Sequence, residues 1–382
     1  MTSERTHRVL LILASLLLSW FLIELPAMVH LLDYRGIVGP QPRYWATTMS
    51  DPELLRIRRP HAHDYGASRG GDVANVATIP ESDLGQYRWD VKYDFHGFRN
   101  VSDLEKVDLA VLGDSFVESP PTAQEQLMTS VLARLQRRVV ANLGQIGYGP
   151  QQELAILKRY ALPLHPSAVV WMFYEGNDLS DALHYRDTVA PSHSGPPHSS
   201  DYFQSFFARS FTNNVLVQLK HGLARKASGK SHQAVVYMNG QRITTYFLYR
   251  EQPLTPAEQS AVDMTSAVLK EAHELCAQHD CRLVVAFVPQ KFRVLRRFCQ
   301  FPPECECRNW VGNDLPDRLR EIVRSISADA GFLDLTPDLE DAVTRGVMPY
   351  YRDDSHWSEE GHRVTAEAIN RYLRQDFLSA MN

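Results

Sequence analysis

A chain of 382 residues with 44% hydrophobic and 22% charged side chains has the composition of a folded globular protein with one large domain or two ordinary ones, which excludes a disordered chain. The formal net charge of -5 leaves no basic footprint, so nucleic acid is set aside as a partner, and an acidic surface has no pull on anionic lipid. Attachment to a membrane must therefore come from an apolar segment.

Such a segment opens the chain. After Arg5, His7 and Arg8, positions 9–23 carry no charge, and apolar character resumes beyond Glu24 and Pro26 as far as Leu32. The uncharged stretch alone would rise about 22 Å as a helix, short of a hydrocarbon layer of roughly 30 Å, whereas extension to Leu32 spans it with Glu24 near an interface. No A-x-A site follows, and the best small residue, Ala27, comes directly after Pro26. Residues 1–32 are therefore read as an uncleaved signal anchor in preference to a cleaved signal peptide. A buried core helix fits less well, because the stretch is apolar on every face. With Arg5 and Arg8 held inside, the remainder lies outside the cytoplasm, on the periplasmic side of the cell membrane.

Residues 33–106 are rich in Arg, His, Pro, Gly and Asp without a sustained period, and read as an irregular lead-in packed on the domain that follows. From residue 107 the pattern becomes regular. Apolar runs at 107–112, 139–143, 168–174, 282–288 and 331–335 read as buried strands. Helices are expected from Thr122, with Glu125 completing a capping box, to Arg137, over 151–160, from Thr255 with Pro256 and Glu258, over 315–330, in a short turn capped at Thr336-Pro337, and over 358–377. Between the third and fourth strands an insertion at about 184–254 interrupts the alternation. It holds an exposed Ser-, Pro- and His-rich loop at 184–201, a helix near 206–223, and a hairpin at 234–249 turning on Asn239-Gly240.

Strands that alternate with helices and are almost wholly apolar imply a parallel sheet covered on both faces. Five of them fit a flavodoxin-like three-layer α/β sandwich of order 2-1-3-4-5, whose ligands bind beyond the carboxyl ends of the strands.

Four short segments fall there: Gly113-Asp114-Ser115-Phe116, Asn142-Leu143-Gly144-Gln145-Ile146-Gly147, Gly176-Asn177-Asp178 and Asp353-Asp354-Ser355-His356. In order and context they resemble the four blocks of the SGNH (GDSL-type) hydrolase superfamily, whose members cleave or transfer esters at serine. The resemblance implies Ser115 as nucleophile and His356 as base. It implies an oxyanion hole of the Ser115 and Gly147 backbone N–H groups and the Asn177 amide, with Gly144 a rival to Gly147. The common D-x-x-H pattern selects Asp353 as the carboxylate. A D-x-H-W pattern, which resembles alginate O-acetyltransferase-like members, selects Asp354, and Trp357 with Ser358 favours the latter. Asp114 and Asp178 are expected to orient the loops, and His362 to pack or cap in the last helix.

The implied activity is that of a membrane-anchored serine esterase acting on acyl esters, plausibly acetyl, of a carbohydrate or other envelope substrate. An O-acyltransferase modifying a surface polysaccharide is the alternative, and would need a membrane acyl-donor partner. A binding protein on the same fold is the third reading, opposed by the intact nucleophile, base and oxyanion residues. No cofactor is implied. Of five cysteines, Cys276 with Cys281 and the cluster Cys299, Cys305 and Cys307 could form two local disulfides and leave one thiol, or remain free. No C-x-x-C pair or adjacent His supports zinc.

Overall fold

The computed structural model describes residues 2–38, 42–189, 206–227, 231–248 and 253–379. The chain forms two units, one of Met1–Thr48 with Asp187–Ala224 and one of Met49–Arg186 with Arg225–Asn382.

The larger unit is built on the apolar runs. Strands β5 (Leu109–Gly113), β6 (Val140–Gly144), β7 (Ala168–Tyr174), β10 (Arg282–Val288) and β12 (Gly331–Asp334) form one sheet in the order β12-β10-β7-β5-β6, every pair parallel. Counted along the chain, that is the expected order 2-1-3-4-5. Alternate side chains feed two cores, as the pleat requires. Leu112, Trp171, Phe173, Leu283 and Val285 meet helices α6 (Pro150–Ile156), α10 (Pro256–Gln278) and α12 (Leu315–Ile326) on one face. Val111, Val170, Met172, Val284 and Ala286 meet α5 (Met128–Gln136), α13 (Thr336–Thr344) and α14 (Glu359–Ser379) on the other. Both faces are dry, which is why the strands read as continuous apolar runs.

Local chemistry sets several boundaries. Thr255 Oγ1 accepts from Glu258 N at 3.2 Å while Thr255 N donates to Glu258 Oε2 at 2.7 Å, the capping box that opens α10. The matching expectation at Thr122 fails. Its hydroxyl pairs with Ser119 Oγ at 2.9 Å, residues Gln124–Gln126 form a single 3-10 turn, and α5 starts only at Met128. The helix expected over 151–160 closes at Ile156 and passes into a π-helical segment, Leu157–Ala161. Asn239 and Gly240, at φ 51° and 74°, make the two-residue turn between β8 (Gln233–Met238) and β9 (Gln241–Tyr246). A short strand β11 (Cys299–Gln300) adds to β8. Of the loop expected at 184–201, residues 184–189 extend helix α7 (Asp178–Val189), and the rest lies outside the described residues.

The lead-in carries regular structure that its composition hides. Strands β1 (Thr48–Asp51) and β2 (Leu55–Arg58) pair, and β3 (His63–Arg69) runs antiparallel to β4 (Gln86–Lys92). Polar side chains at most of these positions remove the apolar alternation by which a strand is recognised.

In the smaller unit, helix α1 (Thr2–Met28) is long and apolar enough over Glu4–Met28 to cross a membrane. It exposes large side chains on all sides, from Val9 to Leu13 and from Leu16 to Leu18. Near its end the carboxylate of Glu24 is wholly buried, accepting from Phe211 N at 3.1 Å, Thr212 N at 2.8 Å and Ser210 Oγ at 3.2 Å. These donors open helix α9 (Phe211–Ala227), so Glu24 serves as its N-terminal cap from another helix. Trp20 Nε1 adds a bond to Thr212 Oγ1 at 2.9 Å.

Candidate active site

Strands β6, β5 and β7 are neighbours, with Gly113 beside Gly144 and Leu112 beside Trp171, so the three loops leaving their carboxyl ends converge. Ser115 starts the short helix α4 (Ser115–Glu118), which Asp114 caps by accepting from Phe116 N at 2.9 Å. The Ser115 hydroxyl is half-buried and lies 2.7 Å from His356 Nε2. On the far side of the ring, His356 Nδ1 lies 2.6 Å from Asp354 Oδ1, which also accepts from His356 N at 2.9 Å. With Nδ1–H donating to Asp354, Nε2 is left as acceptor for the serine hydroxyl, the tautomer a general base requires. Phe116 backs the ring with centroids 4.9 Å apart, and buried Trp357 in turn packs edge-on against Phe116, also at 4.9 Å.

The neighbouring carboxylate is used otherwise. Asp353 is wholly buried, its Oδ1 accepting from Tyr87 OH at 2.5 Å and its Oδ2 from Gly85 N at 2.8 Å and Gly71 N at 3.2 Å. It fastens the lead-in to the catalytic loop, while Asp354 faces the imidazole.

Charge follows this geometry. Burial alone would depress His356, but the Asp354 carboxylate against Nδ1, with Asp72 and Asp114 nearby, lifts it to about 9. Burial pushes Asp354 up, and the imidazolium with its hydrogen bonds more than reverses that, holding it at about 2. Burial raises Asp114. His362 is buried neutral, pushed down to about 3 by burial; it accepts from Met128 N at 3.2 Å at the start of α5 and pairs with Ser119 Oγ at 2.9 Å.

The oxyanion candidates sit on the adjoining loops. Gly147 adopts φ 70°, and a side chain there would come 3.1 Å from the Arg56 guanidinium. Gly144, by contrast, is packed under α4, where a Cβ would meet Val117 at 2.5 Å. Of the two, only Gly147 reaches the half-buried rim. Glu118, fully buried, holds this loop by accepting from Ile146 N at 2.6 Å, and its other oxygen takes Arg58 at 2.8 Å and Tyr93 OH at 2.5 Å. Asn177 Nδ2 donates to Asp181 Oδ2 at 2.8 Å. Asp178, buried, accepts from Tyr174 N at 2.8 Å and ties the Gly176-Asn177-Asp178 turn to its strand.

Three residues of this neighbourhood escaped the motifs. Asp72 bonds Ser355 and Asp354 from the lead-in, Glu118 holds the Gln145-Ile146-Gly147 loop, and Lys291 donates to the carbonyls of Tyr351, Arg352 and Asp354 at 2.6, 2.8 and 3.1 Å. Burial presses the Lys291 ammonium down to about 8. No pattern in the chain flags them, because each acts on a loop distant in sequence. Asp72, Asp354 and His356 bring ligand atoms within 4.8 Å of one another, a spacing that suits a cation, but mutual hydrogen bonds and those to Ser355 already account for the group. The five cysteines are free thiols, with Cys276 facing Cys281 and Cys305 facing Cys307.

Residues 245–382 match the family model described as SGNH hydrolase-like domain, acetyltransferase AlgX. That span holds Asp353, Asp354 and His356, and stops short of Ser115, Gly147 and Asn177. No curated protein matches the chain. Among solved structures, a protein described as lipolytic, of the G-D-S-L family, from Desulfitobacterium hafniense is 14% identical, with 69% of this chain and 98% of that one covered and a TM-score of 0.37. Acetylxylan esterase from Geobacillus stearothermophilus is 12% identical over 71% of this chain and 95% of its own, also at 0.37. A GDSL-like lipase from Bacteroides thetaiotaomicron is 11% identical over 70% and 87%, at 0.34. Superpositions this loose carry no argument about substrate. The four blocks, the sheet order that places them at strand ends and the matched span make this chain similar to the SGNH hydrolases, with a last block resembling that of the alginate O-acetyltransferase-like members.

Proposed function

We propose that the protein is a membrane-anchored serine esterase that takes an acyl group, acetyl by preference, from an envelope carbohydrate ester onto Ser115. The observation that carries this reading is the chain Ser115 Oγ to His356 Nε2 at 2.7 Å and His356 Nδ1 to Asp354 at 2.6 Å. The Ser115 oxygen attacks the ester carbonyl as its proton passes to Nε2, and Asp354 stabilises the imidazolium. The resulting oxyanion meets the N–H groups of Ser115 and Gly147 and the Asn177 amide, each such donor worth about 3 kcal/mol in the transition state. Collapse breaks the ester bond, and the leaving alkoxide takes the proton from Nε2. Water then gives a proton to Nε2 as it attacks the acyl-serine, and collapse frees the acid while the departing Ser115 oxygen takes that proton back from Nε2.

The match to an acetyltransferase domain supports a second reading, in which a sugar hydroxyl replaces water and a membrane partner supplies the acyl group. Retention of the anchor is supported by Glu24, since cleavage after Ala27 would remove the cap of α9.

Acetyl and longer-chain nitrophenyl esters, mixed with the full-length protein with and without acetylated and free oligosaccharides, test both. Mass spectrometry of an acylated Ser115 peptide supports the serine pathway, and its absence during turnover overturns it. Acylated oligosaccharide in place of free acid selects transfer.

A further inference from the structure

The turn Gly70-Gly71-Asp72 lies against the catalytic loop so closely that a Cβ on Gly71 would come 2.4 Å from Asp354 Cβ. Asp72 N donates at 2.9 Å to Asp354 Oδ2, the oxygen that His356 does not use. The Asp72 carboxylate accepts from Ser355 N at 2.8 Å through Oδ1 and from Ser355 Oγ through Oδ2. That same Oδ2 stands 3.8 Å from His356 Nδ1. Two carboxylates from distant parts of the chain thus face one edge of one imidazole, one in hydrogen bond and one just beyond.

Resting on the serine reading above, we propose that Asp72 is a second positioning acid for His356, which adds to the stabilisation of the imidazolium and partly replaces Asp354 when that charge is removed. Nothing in the four blocks assigns a role to this lead-in residue. The close approach of Asp354 explains why the turn carries no side chain at 71. The charged groups around the ring are Asp354 and Ser355's partner Asp72 on the Nδ1 edge and Asp114 from the β5–α4 turn, with His362 of α14 coupled to the ring and Lys291 to both Asp72 and Asp354. Burial and the adjacent Asp354 push the Asp72 carboxyl up to about 6. It is therefore ionised when His356, at about 9, exchanges its proton.

The test reads the imidazole directly. His356 is titrated by NMR through its ring Cε1 proton in full-length Ser115→Ala and in the same chain with Asp72→Asn, Asp72→Ser, Asp72→Glu or Ser355→Ala added. Asp72→Asn and Asp72→Ser are expected to lower the His356 midpoint by about one pH unit. Asp72→Glu should restore most of it, and Ser355→Ala, which removes the hydroxyl bond to Asp72 and keeps the Ser355 N bond and the charge, should leave it in place. An unchanged midpoint in whichever neutral variant melts like its parent overturns the proposal, as does an equal drop in Ser355→Ala. With Ser115 intact, Asp354→Asn should keep turnover about tenfold above the Asp72→Asn, Asp354→Asn double variant, and equal rates oppose the second role. Full activity of Ser115→Ala would instead refute the serine pathway, and the titration would still judge Asp72.

Discussion

At Ser115, removing one oxygen separates chemistry from folding. The hydroxyl sits half-buried at a strand end and packs no core, so Ser115→Ala should abolish esterase turnover with an unchanged thermal melt. Comparable activity in the variant and its parent would rule out the nucleophile. The adjacent acids divide the same way. Asp354→Asn should lower turnover by about 10³- to 10⁴-fold, because the ring loses the charge and tautomer that Oδ1 imposes. Asp353→Asn should act on stability, at about 2–3 kcal/mol, since its amide replaces one accepting oxygen with an NH2 that points a donor at the Tyr87 hydroxyl or the glycine N–H groups. Kinetics and melts on the two variants decide it, and a larger turnover loss at Asp353 reverses the assignment. The pH profile has a definite sign. Only neutral His356 accepts the Ser115 proton, and its ionisation is raised from the usual histidine range to about 9, so kcat/KM should climb with pH up to about 9. In Asp354→Asn the remaining activity should plateau at lower pH, the neighbouring negative charge being gone.

Among the elements, α14 reaches α5 through His362, held neutral by burial at about 3. The folded pKa lies below that of a free imidazole, so the unfolded chain takes up a proton that the folded chain refuses. Stability should therefore fall as pH drops below about 6.5 toward 3. His362→Gln, which retains an acceptor, should flatten that slope in melts between pH 7 and pH 4, and an unchanged slope contradicts the account. Element identity was largely readable in advance. The five strands are uninterrupted apolar runs, and the Thr255 and Asn239-Gly240 signals are satisfied within three residues. The capping box at Thr122 misled because a residue outside the helix, Ser119, competes for the same hydroxyl. The lead-in strands were invisible because their side chains are polar, and backbone pairing leaves no trace in composition.

At the scale of the whole molecule, the charge beside the first helix predicts its address. Reporter fusions after Leu32 and after Ser379, one active only in the cytoplasm and one only outside it, should both report export, with Arg5 and Arg8 retained inside. Cytoplasmic signal at both points would refute export and the choice of an envelope substrate. What the chain determined unaided was the period of its strands, the order of its four blocks and their placement after strand ends, because sheet burial and turn chemistry act over a few neighbouring residues. Tertiary structure alone chose the partners of Asp353 and Asp354, which are adjacent in sequence and present carboxylates to different groups. That choice depends on Tyr87, Gly85 and Gly71 claiming the first, and on Asp72 and His356 claiming the second. Lys291 and Glu118 belong to the same class, as buried charges whose partners are backbone groups or side chains far along the chain. A buried charge must find partners wherever the fold brings them, and that pairing is written in three-dimensional proximity, not in local spacing.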